Sequence, residues 1–511
     1  MRATARPPRV IRNVSPSLSI AVSRAENPRA ASVAVTSLMS SDYLISAGRS
    51  TAKHAGSDAS LNAVDPINEL RADLPQAQLI TDGDAVEAYR RDEARLVEPG
   101  RPLGVVLARD VGDVQATMRW ATRHAVPVVA RGAGSGLSGG ATAIEGGIVL
   151  SLAKMNAIVE VNAGDQLAVV EPGVINADLQ KAAAEHGLMF APDPASFEIS
   201  TIGGNVATNA GGLRCVKYGV TRDSVLGLEV VLADGRVMKT GRRTVKGVAG
   251  YDLTALFVGS EGTLGIVTQA TVKLRPRPMT DPVTVVGVFA TLSSAGEAVD
   301  DVMAAGLQPS LLELMDNATI RAVDDWKHVG LDRSAAAMLI AQVDVEHPRE
   351  PALAIEKAFA AAGATYTAVS TDATEAAELL GVRRMTHWAL ERLGMILTED
   401  VGVPRSKLAQ MLARIEAIGA EYDVVIATVG HAGDGNLHPS LVVDSDRAMP
   451  AAEAIYTAAL ELGGTITGEH GIGVLKRDWL PAEIGEVGME VQRAVKATFD
   501  PLGILNPGKA I

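Results

Sequence analysis

A single cysteine, Cys215, in 511 residues leaves no intramolecular disulfide, no zinc site built from four cysteines and no iron–sulfur cluster of the chain's own. Aromatic residues are only 3%, so stacking platforms for single-stranded nucleic acid are scarce. Positive charge is also in deficit: 47 Lys and Arg against 60 Asp and Glu give a net charge of −13, which argues against a phosphate backbone as the main partner. No apolar run reaches the roughly 18 residues of a membrane span. What remains is a folded composition, 47% hydrophobic and 21% charged, with a length that suggests about three units.

Residues 1–41 are rich in Arg and Ser, with Glu26 as the sole acid. They read first as part of a disordered leader, 1–55, and second as an organellar targeting segment. A helical segment is expected over 56–98. Val105–Leu107 reads as a strand and Val111–His124 as a helix with Val114, Met118 and Ala121 on one face. Strands and glycine loops continue to Arg275-Pro276-Arg277-Pro278, with one clear helix at 176–186 and a hairpin turn at Asp234-Gly235. The punctuation at 275–278 separates a unit over 99–277 from one over 278–499. In the second unit strands such as Val283–Phe289 alternate with helices, among them 374–393. Residues 500–511 form a tail.

The segment Arg131–Gly140 contains Gly134-x-Gly136-x-x-Gly139, formally a dinucleotide fingerprint. The helix that fingerprint needs is excluded, because a strand at 147–152 follows too soon. A P-loop fails for want of Gly-Lys-Ser/Thr. Two further glycine clusters, at 203–212 and 259–265, accompany it. Three such clusters among strands suit one extended diphosphate ligand, held by backbone N–H groups.

His431 and His438 flank Asp434-Gly435, a two-residue hairpin signal. With those two residues as the turn, His431 opposes His438, and directly opposed side chains share a face. Glu469, in Gly468-Glu469-His470-Gly471, supplies a carboxylate. Two histidines and a carboxylate suit a divalent metal with open positions, zinc or manganese.

These segments, with Pro192–Ser196, Lys217-Tyr218-Gly219 and Gly250–Leu253, resemble the vanillyl-alcohol-oxidase (PCMH) flavoproteins. Within them the chain is similar to the FAD-linked D-2-hydroxyacid dehydrogenases from about residue 70 onward. The resemblance implies an α+β fold: a PCMH-type FAD-binding domain of two α+β subdomains, then a C-terminal α/β cap domain with an antiparallel sheet. It further implies that Arg131, Gly132, Ala133, Gly134, Ser135 and Gly139 wrap the FAD diphosphate. Pro192, Ser196, Gly203, Gly204 and Asn209 would line the flavin, and Glu261, Gly262 and Ile266 the adenosine side. Asn506 and Lys509 belong to a tail that returns to the flavin domain. With no histidine in 127–141, FAD is expected to bind non-covalently.

By the same resemblance His431, His438 and Glu469 are metal ligands, His470 the catalytic base, Asn436 a substrate contact and Arg383 the substrate arginine, with Arg384 beside it. A carboxylate substrate calls for such a cation. Thr398 stands where the hydroxyglutarate enzymes carry a lysine, which favours a monocarboxylate, and His387 is a candidate to tune the pocket. The expected activity is oxidation of a D-2-hydroxy acid such as D-lactate or glycolate. Electrons would pass to a quinone, a cytochrome or an electron-transfer flavoprotein. The expected location is the cytoplasm, with a peripheral membrane contact if the acceptor is a quinone, and a homodimer is left open. The alternatives are a non-catalytic FAD-binding subunit of a larger oxidase and a metal-dependent hydrolase. The intact His/Glu motif speaks against the first and the glycine clusters against the second.

Overall fold

The computed structural model describes residues 66–74, 78–443 and 445–511; the expected leader lies outside them. Three larger sheets organise the chain, beside a two-stranded one formed by Leu188–Met189 and Arg275–Pro276. In the first, Gly104–Leu107, Ile148–Ser151 and Val128–Arg131 run parallel, with Leu79–Ile80 antiparallel at one edge. Their unbroken apolar runs suit strands covered on both faces. Helix Val111–His124 lays Val114, Met118 and Ala121 on this sheet, all fully buried, as their spacing predicts. Asp110 caps its start by accepting from Asp113 N.

The second sheet is antiparallel, ordered Ile158–Asn162, Leu167–Val170, Ile266–Lys273, Val225–Val231 and Val237–Gly241. The glycines at 203 and 204 do not sit in a loop among strands, as the sequence suggests. They open a helix, Ile202–Thr208, capped by Thr201. A Cβ at Gly203 would lie 2.5 Å from the Pro172 ring, so close packing rather than looseness demands that glycine.

The third sheet has eight antiparallel strands. Its path runs Ala364–Ser370, Val283–Phe289, Ala337–Val343, Leu311–Asp316, Ile426–His431, Asn436–Val442 and Ile396–Thr398, and Val401–Gly402 also pairs with Asn436–Val442. Alternate residues feed two cores: Leu312 and Leu314 enter one, Leu311 and Met315 the other. The expected helix over 374–393 is two, Ala373–Arg384 and Thr386–Glu391, with Met385 between them. After the kinked helix Leu480–Phe499 the tail returns to the first sheet. Val128 N donates to Ile504 O and Asn506 N to Val128 O, both at 2.8 Å, which covers that sheet's open edge.

Candidate functional site

The hairpin register differs from the sequence reading. His431 pairs with Asn436, Gly430 with Leu437 and Val429 with His438. The loop therefore takes in four residues, 432–435, with a 3-10 turn at Ala432–Asp434 closed by Gly435 at φ +77°. A two-residue slip preserves facing, so His438, opposite Val429, still shares a face with His431. The two rings are diagonal neighbours, centroids 5.1 Å apart.

Both rings aim Nε2 at one oxygen: Glu469 Oε1 lies 3.2 Å from His431 Nε2 and 3.1 Å from His438 Nε2. Among the described residues these three form one of two clusters compact enough to hold a metal ion; Asp400, His438 and His470 form the other. Burial works against charge on His431, but Glu313 and Glu469 outweigh it and hold its pKa well above the ordinary histidine value. Burial likewise opposes the Glu469 carboxylate, and His431 and His438 overcome it and hold its pKa well below the usual range. Two imidazole nitrogens converging on a carboxylate oxygen are a donor set that fits a divalent cation.

His470 stacks on His438, centroids 4.9 Å apart and planes 15° from parallel. Burial pushes its pKa down to about 4, with Asp400 opposing that shift, so the neutral ring has an open nitrogen. Asp400 was not foreseen. Fully buried, its Oδ2 accepts from Thr467 Oγ1 (2.8 Å), Glu469 N (2.8 Å) and His470 N (3.0 Å), and its Oδ1 from Asn436 Nδ2 (2.6 Å). Asn436, the expected substrate contact, thus spends its amide on Asp400 and on Val401 O. Arg383 is buried with Nε 2.9 Å from Glu313 Oε2, and Glu313 Oε1 accepts from His431 Nδ1 at 2.8 Å. Arg384 lies over the Phe197 ring instead. His387 and Thr398 line a separate cavity of about 30 Å³, where Thr398 Oγ1 is 3.1 Å from Ser440 Oγ.

A larger cavity of about 250 Å³ lies between the first two sheets' loops and the histidine cluster. Arg131, Gly132, Ala133, Gly134, Ser135, Ser196, Gly203, Gly204, Glu261, Gly262 and Ile266 line it, and so do Glu469 and His470. Gly134 takes φ +78°, and a Cβ there would lie 2.1 Å from Arg131 Nη2. A wall of glycines that brings backbone N–H groups to the cavity fits a diphosphate. Four expected contacts stand off it. Gly139 packs on Val97 and Val474, and Pro192 O accepts from Asn176 Nδ2. Asn209 accepts from Arg222 N. Asn506 Nδ2 donates to Gly140 O and Glu261 O, bracing the wall from behind.

Glu261, which lines this cavity, also clasps the loop after His470. Its Oε1 and Oε2 accept from Ile472 N (2.7 Å) and Gly473 N (2.8 Å). Burial pushes its pKa up to about 7, against the pull of those two N–H groups. An acid whose folded pKa is raised holds a proton that the unfolded chain has already lost, so stability falls as pH climbs from about 4.5 to about 7. The loss is roughly 3 kcal/mol. Between pH 5 and 8 the parent's melting midpoint should therefore drop more steeply than that of Glu261→Gln; equal slopes would remove Glu261 as the source.

Residues 102–241 match an FAD binding domain, and residues 279–510 match the C-terminal domain of FAD linked oxidases. Glycolate oxidase subunit GlcD of Bacillus subtilis is 45% identical over 420 residues, 80% of this chain and 88% of that protein. D-lactate dehydrogenase of Archaeoglobus fulgidus is 39% identical over 83% of this chain and 96% of its own length. p-Cresol methylhydroxylase shares the fold, with a TM-score of 0.73 and 19% identity over 87% of this chain and 96% of that one. Cavity, domain order and near full-length relatives agree, and the chain belongs to the FAD-linked oxidases.

Proposed function

We propose that this oxidase converts a D-2-hydroxy acid, with D-lactate and glycolate as leading candidates, to its 2-oxo acid. When bound, FAD in the glycine-lined cavity supplies the two-electron oxidant and a divalent ion at His431, His438 and Glu469 a Lewis acid. Arg383 holds the substrate carboxylate: its buried guanidinium is ion-paired with Glu313, Nε 2.9 Å from Oε2, but Nε has no aligned hydrogen bond there. His470 takes the proton of the 2-hydroxyl as general base. Asn436 braces the ligand loop through Asp400 from beside His431. Fixing both ends of a small acid gains rate from orientation.

The observation that carries this reading is that His470 and Glu469 line the same cavity as the glycine loop, so the histidine cluster opens onto the cofactor site. A single carboxylate anchor, Arg383, suits a monocarboxylate. Anaerobic titration of the FAD-loaded, metal-replete protein tests it. D-lactate or glycolate should bleach the flavin band, and L-lactate should not. A band that no 2-hydroxy acid bleaches would sink the proposal. Oxidised flavin would then be restored by a quinone, a cytochrome or an electron-transfer flavoprotein; no helix among the described residues is long and apolar enough to cross a membrane.

Gly211 offers a check on the ligand set. A Cβ there would sit 2.3 Å from Glu469 Oε2, so Gly211→Ala must displace that carboxylate. Zn²⁺ binding should weaken about tenfold while FAD content holds. Metal analysis of the purified variant reads the result.

A further inference from the structure

We infer that Glu313 is a positioning residue that fixes the separation of the two substrate anchors and so selects 2-hydroxy over 3-hydroxy acids. This inference deepens the proposed function and rests on it. Glu313 lies on strand Leu311–Asp316 as the direct cross-strand partner of His431, and its side chain is wholly buried. Paired residues of adjacent strands face the same way, so the sheet itself delivers the Glu313 carboxylate to the back of the His431 ring.

Its two oxygens serve two different halves of the site. Oε1 lies 2.8 Å from His431 Nδ1, so Nδ1 donates to Glu313, and Nε2, 3.2 Å from Glu469 Oε1, is the nitrogen that would exchange its proton for a divalent ion. Oε2 lies 2.9 Å from Arg383 Nε, a close ion pair rather than an aligned hydrogen bond, and its charge holds the buried guanidinium beside it. One buried carboxylate thus ties the ring that meets the metal to the arginine that meets the substrate carboxylate.

Both neighbours are donors, and only a carboxylate offers an acceptor oxygen to each. Glutamine has one oxygen, and its NH₂ would confront whichever donor that oxygen leaves. The bridge is also stiff, because Glu313 sits in a strand buried at every position. Hydroxyl and carboxylate stand on adjacent carbons in a 2-hydroxy acid and one carbon further apart in a 3-hydroxy acid. A bridge that cannot stretch serves the first and misfits the second. Glu313 itself touches neither substrate nor cofactor.

The test uses the FAD-loaded full chain as parent, Glu313→Gln and Glu313→Asp. Zn²⁺ affinity is read by competition with a chelator, and steady-state kinetics compare the isomers D-2-hydroxybutyrate and D-3-hydroxybutyrate. Glu313→Gln should keep its FAD, bind Zn²⁺ about 10–100-fold more weakly and raise KM for the 2-isomer. Its kcat/KM preference for the 2-isomer should narrow. Glu313→Asp, which retains the buried charge, should show the same changes at smaller size, and it decides the matter if the glutamine variant does not fold. Variants that match the parent within twofold in Zn²⁺ affinity and isomer preference would overturn this inference alone. A parent that takes up no Zn²⁺ would overturn the metal reading and this inference with it.

Discussion

In His470→Asn protein, anaerobic D-lactate should leave the flavin band almost unreduced over the time the parent bleaches, a slowing of about 10²–10⁴-fold. FAD and metal content should be those of the parent. The reason lies in how the loop is held. His470 N donates to Asp400 Oδ2, and His470 O accepts from Ser138 Oγ at 3.2 Å. Both are backbone bonds that survive a change of side chain. The substitution therefore removes the imidazole stacked on His438 and leaves its frame intact. Stopped-flow reduction rates equal to the parent's would strip His470 of its role as base.

Asp400→Asn should do broader damage. The carboxylate gathers four donors, three of them from Thr467, Glu469 and His470, and faces His438 Nδ1 at 3.5 Å. Burial opposes its charge, but His470, Lys476 and His438 outweigh that and hold its pKa below the usual carboxylate range. An amide has one acceptor oxygen and would turn its own N–H groups on the other donors. Breaking a buried charged network of this kind costs about 3–5 kcal/mol. Metal binding and flavin reduction should fall together, with a lower melting midpoint and FAD retained. Loss of reduction with metal affinity intact would show that Asp400 does not hold the Glu469 ligand. Comparison of the two variants separates a residue that carries the proton from one that builds the loop.

Where an apolar run is bounded by Pro, the sequence names the strand to the residue, as at Val283–Phe289. The strand Ala364–Ser370 escapes because it is a half-exposed edge with little apolar content. Helix Asn317–Lys327 is absent from the sequence reading, although Asp316, which accepts from Thr319 N, is a legible cap. In the site, His431, His438 and Glu469 declare themselves through short-range spacing, even with the wrong register. Glu313 and Asp400 do not. Each is a single acid in unremarkable sequence; Glu313 is 118 positions from His431, and only the strand order brings the two together. Spacing reveals candidate metal-binding side chains that lie on one hairpin, and not the carboxylates that contact them from neighbouring strands.

The returning tail sets an order of events in biosynthesis. The Val128–Arg131 edge meets its neighbour only at residues 504–506, and Asn506 reaches Gly140 across 366 positions of sequence. A nascent chain that has emerged through the second sheet still presents the outer edge of that strand unpaired, and bare edges invite pairing with other chains. The cavity wall at Gly140 and Glu261 also waits for its brace until the whole third sheet has been translated. The cofactor-binding half expressed alone should therefore lack that brace and aggregate through the edge that the tail normally hides.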